Sequence, residues 1–241
     1  MVNAYWACKD INNFGDMLTS YILEEMFGVK AVHSKEGPHL FICGSILAEA
    51  NTDTIVLGAG LGHETQRPEA FLRGFFVRGP LTEKISGIKA IADPAIILPA
   101  LYGGTRTKKY RYGVIPHYID SHVVVPEGML KIDITSGIQN VVGLILQCEE
   151  IITSTLHGLI VAHAYGVPAV WAEFSDKVVG GGFKFRDYLL SVDISPYKPL
   201  NLREGIPAGV SVPLDVGKGQ RLVESVLKEI ELGYSYYTSL G

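Results

Sequence analysis

The stretch from Ile151 to Trp171, IITSTLHGLIVAHAYGVPAVW, constrains the fold more than any other part of the chain. An apolar run that ends at Ile152 reads as a buried strand. Thr153, Ser154 and Thr155 form a hydroxyl-rich turn, and Ser154 or Thr155 can cap the helix that follows by accepting an orphan N–H. That helix runs to about Tyr165, with Gly166 as its stop and Pro168 just beyond. Ala169–Trp171 then resumes a strand. Strand, turn, helix and strand make the repeat of an α/β fold. His157 falls in the first helical turn, where free N–H groups and the positive dipole end favour an anion. Gly158 lets another group approach the backbone. An imidazole placed there can hold a phosphate or move a proton. The plainer reading is a surface histidine beside a helix cap.

The first hundred residues repeat the pattern. Ala4–Ala7 is a strand candidate, followed by the polar turn Asn12-Asn13-Phe14-Gly15-Asp16. Asp16 is placed to cap a helix over Met17–Phe27, whose Leu18, Tyr21, Ile22 and Met26 share one face and whose stop is Gly28. Leu40–Cys43 and Thr54–Leu57 read as buried strands. They end in Gly44-Ser45 and in Gly58-Ala59-Gly60-Leu61-Gly62. Two glycine-rich turns at strand ends suggest one crevice at the carboxyl edge of a parallel sheet. The spacing is not that of a dinucleotide fingerprint, and tight turns alone also explain it. Phe75–Val77 is a further strand with Arg78 at its end, and a helix opens at Pro80 and closes at Gly87. The fork of Arg78 suits a carboxylate or phosphate, or a structural ion pair. Lys89–Ala92 reads as a fifth strand before Asp93-Pro94, and Asp93 can orient Arg78.

Leu101–Tyr110 is polar, basic and glycine-rich, and reads as a linker. It divides an N-terminal α/β domain, residues 1–106, from a C-terminal α/β domain, residues 107–241. In the second half Gly113–Pro116 is a strand with His117 at its end. Val123–Val125 and Lys131–Ile134 are strand candidates, and Gly137–Gln147 is a helix. In Ser175–Arg186 three glycines precede Lys184 and Arg186. This reads either as a mobile loop that covers an anion or as a solvated basic face of a helix over Phe183–Leu190. Asn201–Gly217 is a connection, Gln220–Leu232 an amphipathic helix, and Gly233–Gly241 an aromatic tail on the surface. A net charge of −4 argues against bulk electrostatic binding of nucleic acid. Cys8, Cys43 and Cys148 lack metal-ligand spacing and read as buried free thiols. With no signal-peptide pattern and no bilayer-length apolar run, the expectation is a soluble cytoplasmic protein, with room for a peripheral membrane contact.

Taken in order, Asn13-Phe14-Gly15-Asp16, Gly44-Ser45, Gly58-Ala59-Gly60, Val77-Arg78-Gly79-Pro80-Leu81-Thr82, Ala92-Asp93-Pro94 and Ser154-Thr155-Leu156-His157-Gly158 resemble the polysaccharide pyruvyl transferase family. The resemblance spans about Asn12 to Trp171 and takes in the basic loop near Lys184. Within the family the chain looks similar to bacterial exopolysaccharide ketal pyruvyl transferases of the succinoglycan type, which also carry a segment like Pro116-His117-Tyr118. The resemblance implies two Rossmann-like domains in a GT-B-like arrangement. It implies transfer of pyruvate from phosphoenolpyruvate onto two hydroxyls of a sugar or lipid-linked oligosaccharide, as a cyclic ketal, with no metal or organic cofactor.

That chemistry needs anion binders, an acid and a base. His157, Asp16 and His117 are the candidate catalytic groups. Arg78, Ser154, Thr155, Leu156, Gly158, Lys184 and Arg186 are candidate donor contacts, and Asn13, Gly44, Ser45 and Gly60 are candidate crevice loops. Thr155 departs from the family, where many members have arginine, so that contact is missing or comes from Arg78, Lys184 or Arg186. A nucleotide-sugar glycosyltransferase of similar fold, or a noncatalytic carbohydrate- or anion-binding relative, are the alternative readings.

Overall fold

The computed structural model describes residues 1–7, 13–178, 180–204 and 216–241, without the side chains of residues 216–220. Cys8, Asn12 and most of the connection expected over 201–217 lie outside the described residues. The first half of the chain forms β1 (Val2–Ala4), α1 (Phe14–Phe27), β2 (Ala31–His33), β3 (His39–Phe41), β4 (Thr54–Gly58), β5 (Arg73–Val77) and α2 (Pro80–Ser86). A 3-10 turn over Pro94–Ile97 runs into the short α3 (Leu98–Leu101). The second half forms β6 (Tyr110–Ile115), β7 (Leu130–Lys131), α4 (Ile138–Ile145), β8 (Cys148–Thr153) and α5 (Leu156–Ala164). It continues through β9 (Ala169–Glu173), α6 (Phe183–Ser191), β10 (Leu200–Asn201) and α7 (Val216–Thr238).

The strands build two parallel five-stranded sheets, ordered β2-β1-β3-β4-β5 and β10-β9-β8-β6-β7. Both are Rossmann-like α/β units. Parallel sheets bury both faces, and β4 accordingly buries all five of its residues. In each sheet the strand order reverses once, at β1 and β3 in the first and at β6 and β8 in the second. Ligands of open α/β sheets bind beyond the carboxyl ends of strands at such a reversal. Asn13 and Gly44 follow β1 and β3, while His117 and Ser154 follow β6 and β8. One hydrophobic core runs through both sheets: Phe14, Leu18 and Ile22 of α1 share it with Ile134, Val141 and Ile145.

The punctuation holds at several helix ends. Gly28 and Gly87 sit in the left-handed conformation as stops of α1 and α2, and Pro80 opens α2. Other expectations need correcting. Asp16 is not a cap: α1 starts at Phe14 instead of Met17, Asn13 is the capping position, and Asp16 lies in the first turn. Lys89–Ala92 forms a single bridge, Val77 to Ala90, before Asp93 turns the chain into the 3-10 turn. Val123–Val125 forms no strand, because Lys131 Nζ grips the Ser121 and Val123 carbonyls at 2.5 and 2.8 Å and holds the segment as a loop. β2 went unrecognised as a short, half-exposed strand.

The aromatic tail is mostly the end of α7, which returns to the first sheet. Tyr234 stacks on Phe27 with centroids 3.8 Å apart, and the Tyr237 hydroxyl accepts the Asn3 N–H at 3.1 Å. Gly233 does not stop the helix. It lets α7 press on Leu57, whose Cδ1 would lie 3.0 Å from an added Cβ. The two free thiols described, Cys43 and Cys148, are buried.

Candidate active site

The hydroxyl turn after β8 wires the second sheet to its helix. Thr155 caps α5, its Oγ1 accepting the Gly158 N–H at 3.1 Å. Thr153 Oγ1 donates to the Ile115 carbonyl at 3.0 Å, and Ser154 Oγ accepts the His117 N–H at 2.8 Å. A Cβ on Gly158 would stand 2.7 Å from Thr153 Oγ1, so the turn requires glycine there. Leu156 packs into the core.

His157 leaves this turn toward the first half of the chain. Its ring lies against Gly15 of α1, so closely that an added Cβ would overlap Nδ1 and sit 2.7 Å from Cε1. Its Nε2 faces Asp93 Oδ2 at 3.7 Å, an ion-pair distance too long for a hydrogen bond. Both atoms are buried, and neither has a hydrogen-bond partner. Asp93 Oδ1 caps the 3-10 turn through the Ala95 N–H at 3.0 Å. Burial alone would raise the Asp93 carboxyl. The His157 ring, the Arg78 charge and the Ala95 N–H outweigh it, so the group is held below the usual carboxylate range.

Arg78 is fully buried. Its Nε donates to Asp187 Oδ2 at 3.1 Å, Nη1 to Ser45 Oγ at 2.9 Å and Nη2 to the Leu61 carbonyl at 2.6 Å. The group orienting it is therefore Asp187, not Asp93. Asp187 also accepts the Leu81 and Thr82 N–H groups at 2.9 and 3.0 Å and the Thr82 hydroxyl at 2.7 Å. One carboxylate of α6 thus caps α2 and pairs with Arg78, joining segments more than a hundred residues apart. The signal that could have found it is an acid one helical turn after Phe183, on the buried face of α6, where an unpartnered charge would be costly. Gly60 gives the guanidinium room, since a Cβ there would lie 2.5 Å from Nη2. The two glycine turns are zipped together, Gly60 N–H to Gly44 carbonyl at 2.9 Å and Leu47 N–H to Gly60 carbonyl at 3.0 Å.

Lys184, in the first turn of α6, is half-buried with its ammonium 5.7 Å from the centroid of Phe185. Burial and the Arg78 charge lower its pKa to about 8 against the opposing pull of Asp16. His117 is lowered to about 4, by burial and then by Lys184, with Asp120 opposing. Its Nδ1 accepts the Ile119 N–H at 3.3 Å, which leaves the proton of the neutral ring on Nε2. Asp16 is buried and accepts from Asn13 Nδ2 at 2.9 Å. Arg186 is turned away onto its own loop, donating to the Gly181 carbonyl at 2.7 Å. Lys184 opens on a narrow pocket beside Ser154, Trp171, Glu173 and Phe185, with about 10 Å³ of room, enough for one water.

The fold therefore gathers Asp16, Arg78, Asp93, His117, His157 and Lys184 into one electrostatically coupled group. Leu156 and Arg186 stay apart from it. Among the described residues no cluster of three His, Cys, Asp or Glu side chains is placed to hold a metal ion. No described helix is long and apolar enough to cross a membrane.

Residues 13–176 match the family model described as polysaccharide pyruvyl transferase. The chain belongs to this family. The match begins at the cap of α1 and ends just past β9, so it contains all of the coupled group except Lys184. Among curated relatives, this pyruvyl transferase family member is 31% identical over 211 residues to the uncharacterized protein L143 of Acanthamoeba polyphaga mimivirus, covering 77% of this chain and 72% of the relative. It is 28% identical over 215 residues to the succinoglycan biosynthesis protein ExoV of Rhizobium meliloti (strain 1021), covering 81% of this chain and 66% of that protein.

Proposed function

We propose that the chain transfers pyruvate from phosphoenolpyruvate to two hydroxyls of a saccharide, forming a cyclic ketal and inorganic phosphate. The observation that carries this reading is the half-buried cation Lys184, within electrostatic reach of His117, Asp16 and Arg78 and opening on the pocket that Ser154 of the β8 turn lines. Phosphoenolpyruvate carries a phosphate and a carboxylate, and Lys184 with the N-terminal end of α5 offers both a counter-charge. Arg78 acts at one remove. Fully buried and held by Asp187, Ser45 and Leu61, it positions the crevice loops and its charge lowers Lys184.

His157 is the acid. Asp93, anionic and buried, faces Nε2 at 3.7 Å and fixes the orientation of the imidazole. Its proton goes to C3 of the donor as C2 becomes oxocarbenium-like. The first sugar hydroxyl adds to C2 and gives its proton to Asp16. The C2–O bond to phosphate then breaks, phosphate leaving with a proton, and the second hydroxyl closes the ketal and releases its own. Each turnover takes two protons from the hydroxyls and delivers one to C3 and one to phosphate. His117, neutral at ordinary pH, donates from Nε2 to a hydroxyl or to phosphate rather than serving as the base. In this reading residues 1–106 and 107–241 are the two domains of a GT-B-like enzyme in the cytoplasm, the second carrying the donor-site Leu156-His157-Gly158, with α7 strapping the second back onto the first. Release of phosphate from phosphoenolpyruvate, dependent on an added saccharide, is the test. Release at the same rate without any acceptor would refute it.

A further inference from the structure

Resting on that reading, we infer that the acceptor saccharide docks in the cavity beyond the carboxyl ends of β6 and β7. This cavity has about 500 Å³ of room, within the roughly 300–1,000 Å³ of small-molecule sites. Tyr118, Ser121, Lys131, Asp133 and Thr135 line the cavity. An aromatic ring with hydroxyls and a carboxylate around it is the chemistry that recognises a pyranose, which has apolar C–H faces and a polar rim.

Charge separates this site from the donor's. The cation on the cavity wall, Lys131, spends its Nζ on the Ser121 and Val123 carbonyls. Asp133 adds a negative charge, its Oδ1 fixed by the Thr135 N–H and hydroxyl at 2.9 and 2.7 Å. Lys131 and Asp133 balance in charge, so the lining carries no net charge and fits a neutral polyol rather than a multiply charged anion.

Two lining residues connect the cavity to the groups that would handle the sugar hydroxyls. The Tyr118 ring packs on His117 with centroids 4.3 Å apart. The Ile134 carbonyl, also in the lining, accepts the Phe14 N–H at 3.2 Å, which ties the cavity to the first turn of α1, where Asp16 lies. A sugar ring seated on Tyr118 would present its edge between His117 and Asp16.

Saturation-transfer NMR with neutral glucosides, galactosides and their disaccharides tests this directly, beside the KM values for acceptor and phosphoenolpyruvate. Asp133 is exposed, and Asp133→Asn keeps an oxygen for Thr135, so the fold should survive even if Asp133→Ala loosens the turn. Asp133→Asn and Tyr118→Ala should abolish saturation transfer and raise the acceptor KM by about tenfold or more, leaving the phosphoenolpyruvate KM within about twofold. No transfer to the wild-type chain, or transfer that both variants leave intact, overturns the assignment. Saccharide binding lost in the variants while phosphoenolpyruvate is never consumed would keep the cavity and sink the pyruvyl reading. Turnover with an unmoved acceptor KM in both variants would do the reverse.

Discussion

Gly15→Ala adds one methyl group to the molecule, and its effects on stability and on rate should separate. Gly15 lies in the first turn of α1, where alanine is the better helix former by up to about 1 kcal/mol. The added Cβ would overlap His157 Nδ1 and press on Cε1, from which it would be 2.7 Å away. The obstacle is a side chain 13% exposed, so the ring can swing aside, and an overpacking cost of about 1–3 kcal/mol is partly offset by the helix gain. The melting temperature should move little. The displaced imidazole, however, loses its alignment with Asp93. Turnover should fall about 10²–10⁴-fold, the worth of a positioned acid, or roughly 3–5 kcal/mol of barrier. Phosphate-release kinetics beside thermal melting make the assay. His157→Ala combined with Gly15→Ala removes the overlap, so the double variant should be no slower than His157→Ala alone and at least as stable. Gly15→Ala with unchanged turnover, or a double variant whose rate loss is the product of the two singles, would refute the reasoning.

Asp187→Ala should cost about 3–5 kcal/mol, seen as a large drop in chemical-denaturation midpoint, because it strands the buried Arg78 and uncaps α2. Lys184 binds the donor as a cation, so the phosphoenolpyruvate KM should rise as pH climbs through about 8. Lys184→Arg should carry that limb to higher pH, and an unshifted limb would assign it to another group. Thr155→Arg, which restores the arginine common in the family, should lower the melting temperature rather than raise activity. It removes the cap of α5, worth about 1 kcal/mol, and forces a cation into a buried site.

Local punctuation was legible because its physics is local. The Gly28 and Gly87 stops, Pro80 at the head of α2 and Thr155 at the head of α5 each act within a few residues of themselves. The meeting of His117 with Ser154 follows from the rule that parallel strands deliver their loops to one edge. Partners distant in the chain were not legible. Asp187 reads as part of a basic helix until the fold sets it against Arg78, and Asp93 reads as the partner of Arg78 until it is found facing His157. The return of α7 was hidden because Gly233 resembles a stop, whereas its role is close contact with Leu57. The edge strand β2 offers three half-exposed residues and no usable period.

The central claim is that this chain makes a pyruvate ketal. Purified protein incubated with phosphoenolpyruvate and candidate acceptor saccharides, followed by mass spectrometry of the sugar and assay of phosphate, tests it most directly. The account predicts one phosphate released per sugar whose mass has grown by pyruvate less water, with both products lost in His157→Ala. Phosphoenolpyruvate left intact across the acceptor panel while a nucleotide sugar is consumed would contradict it.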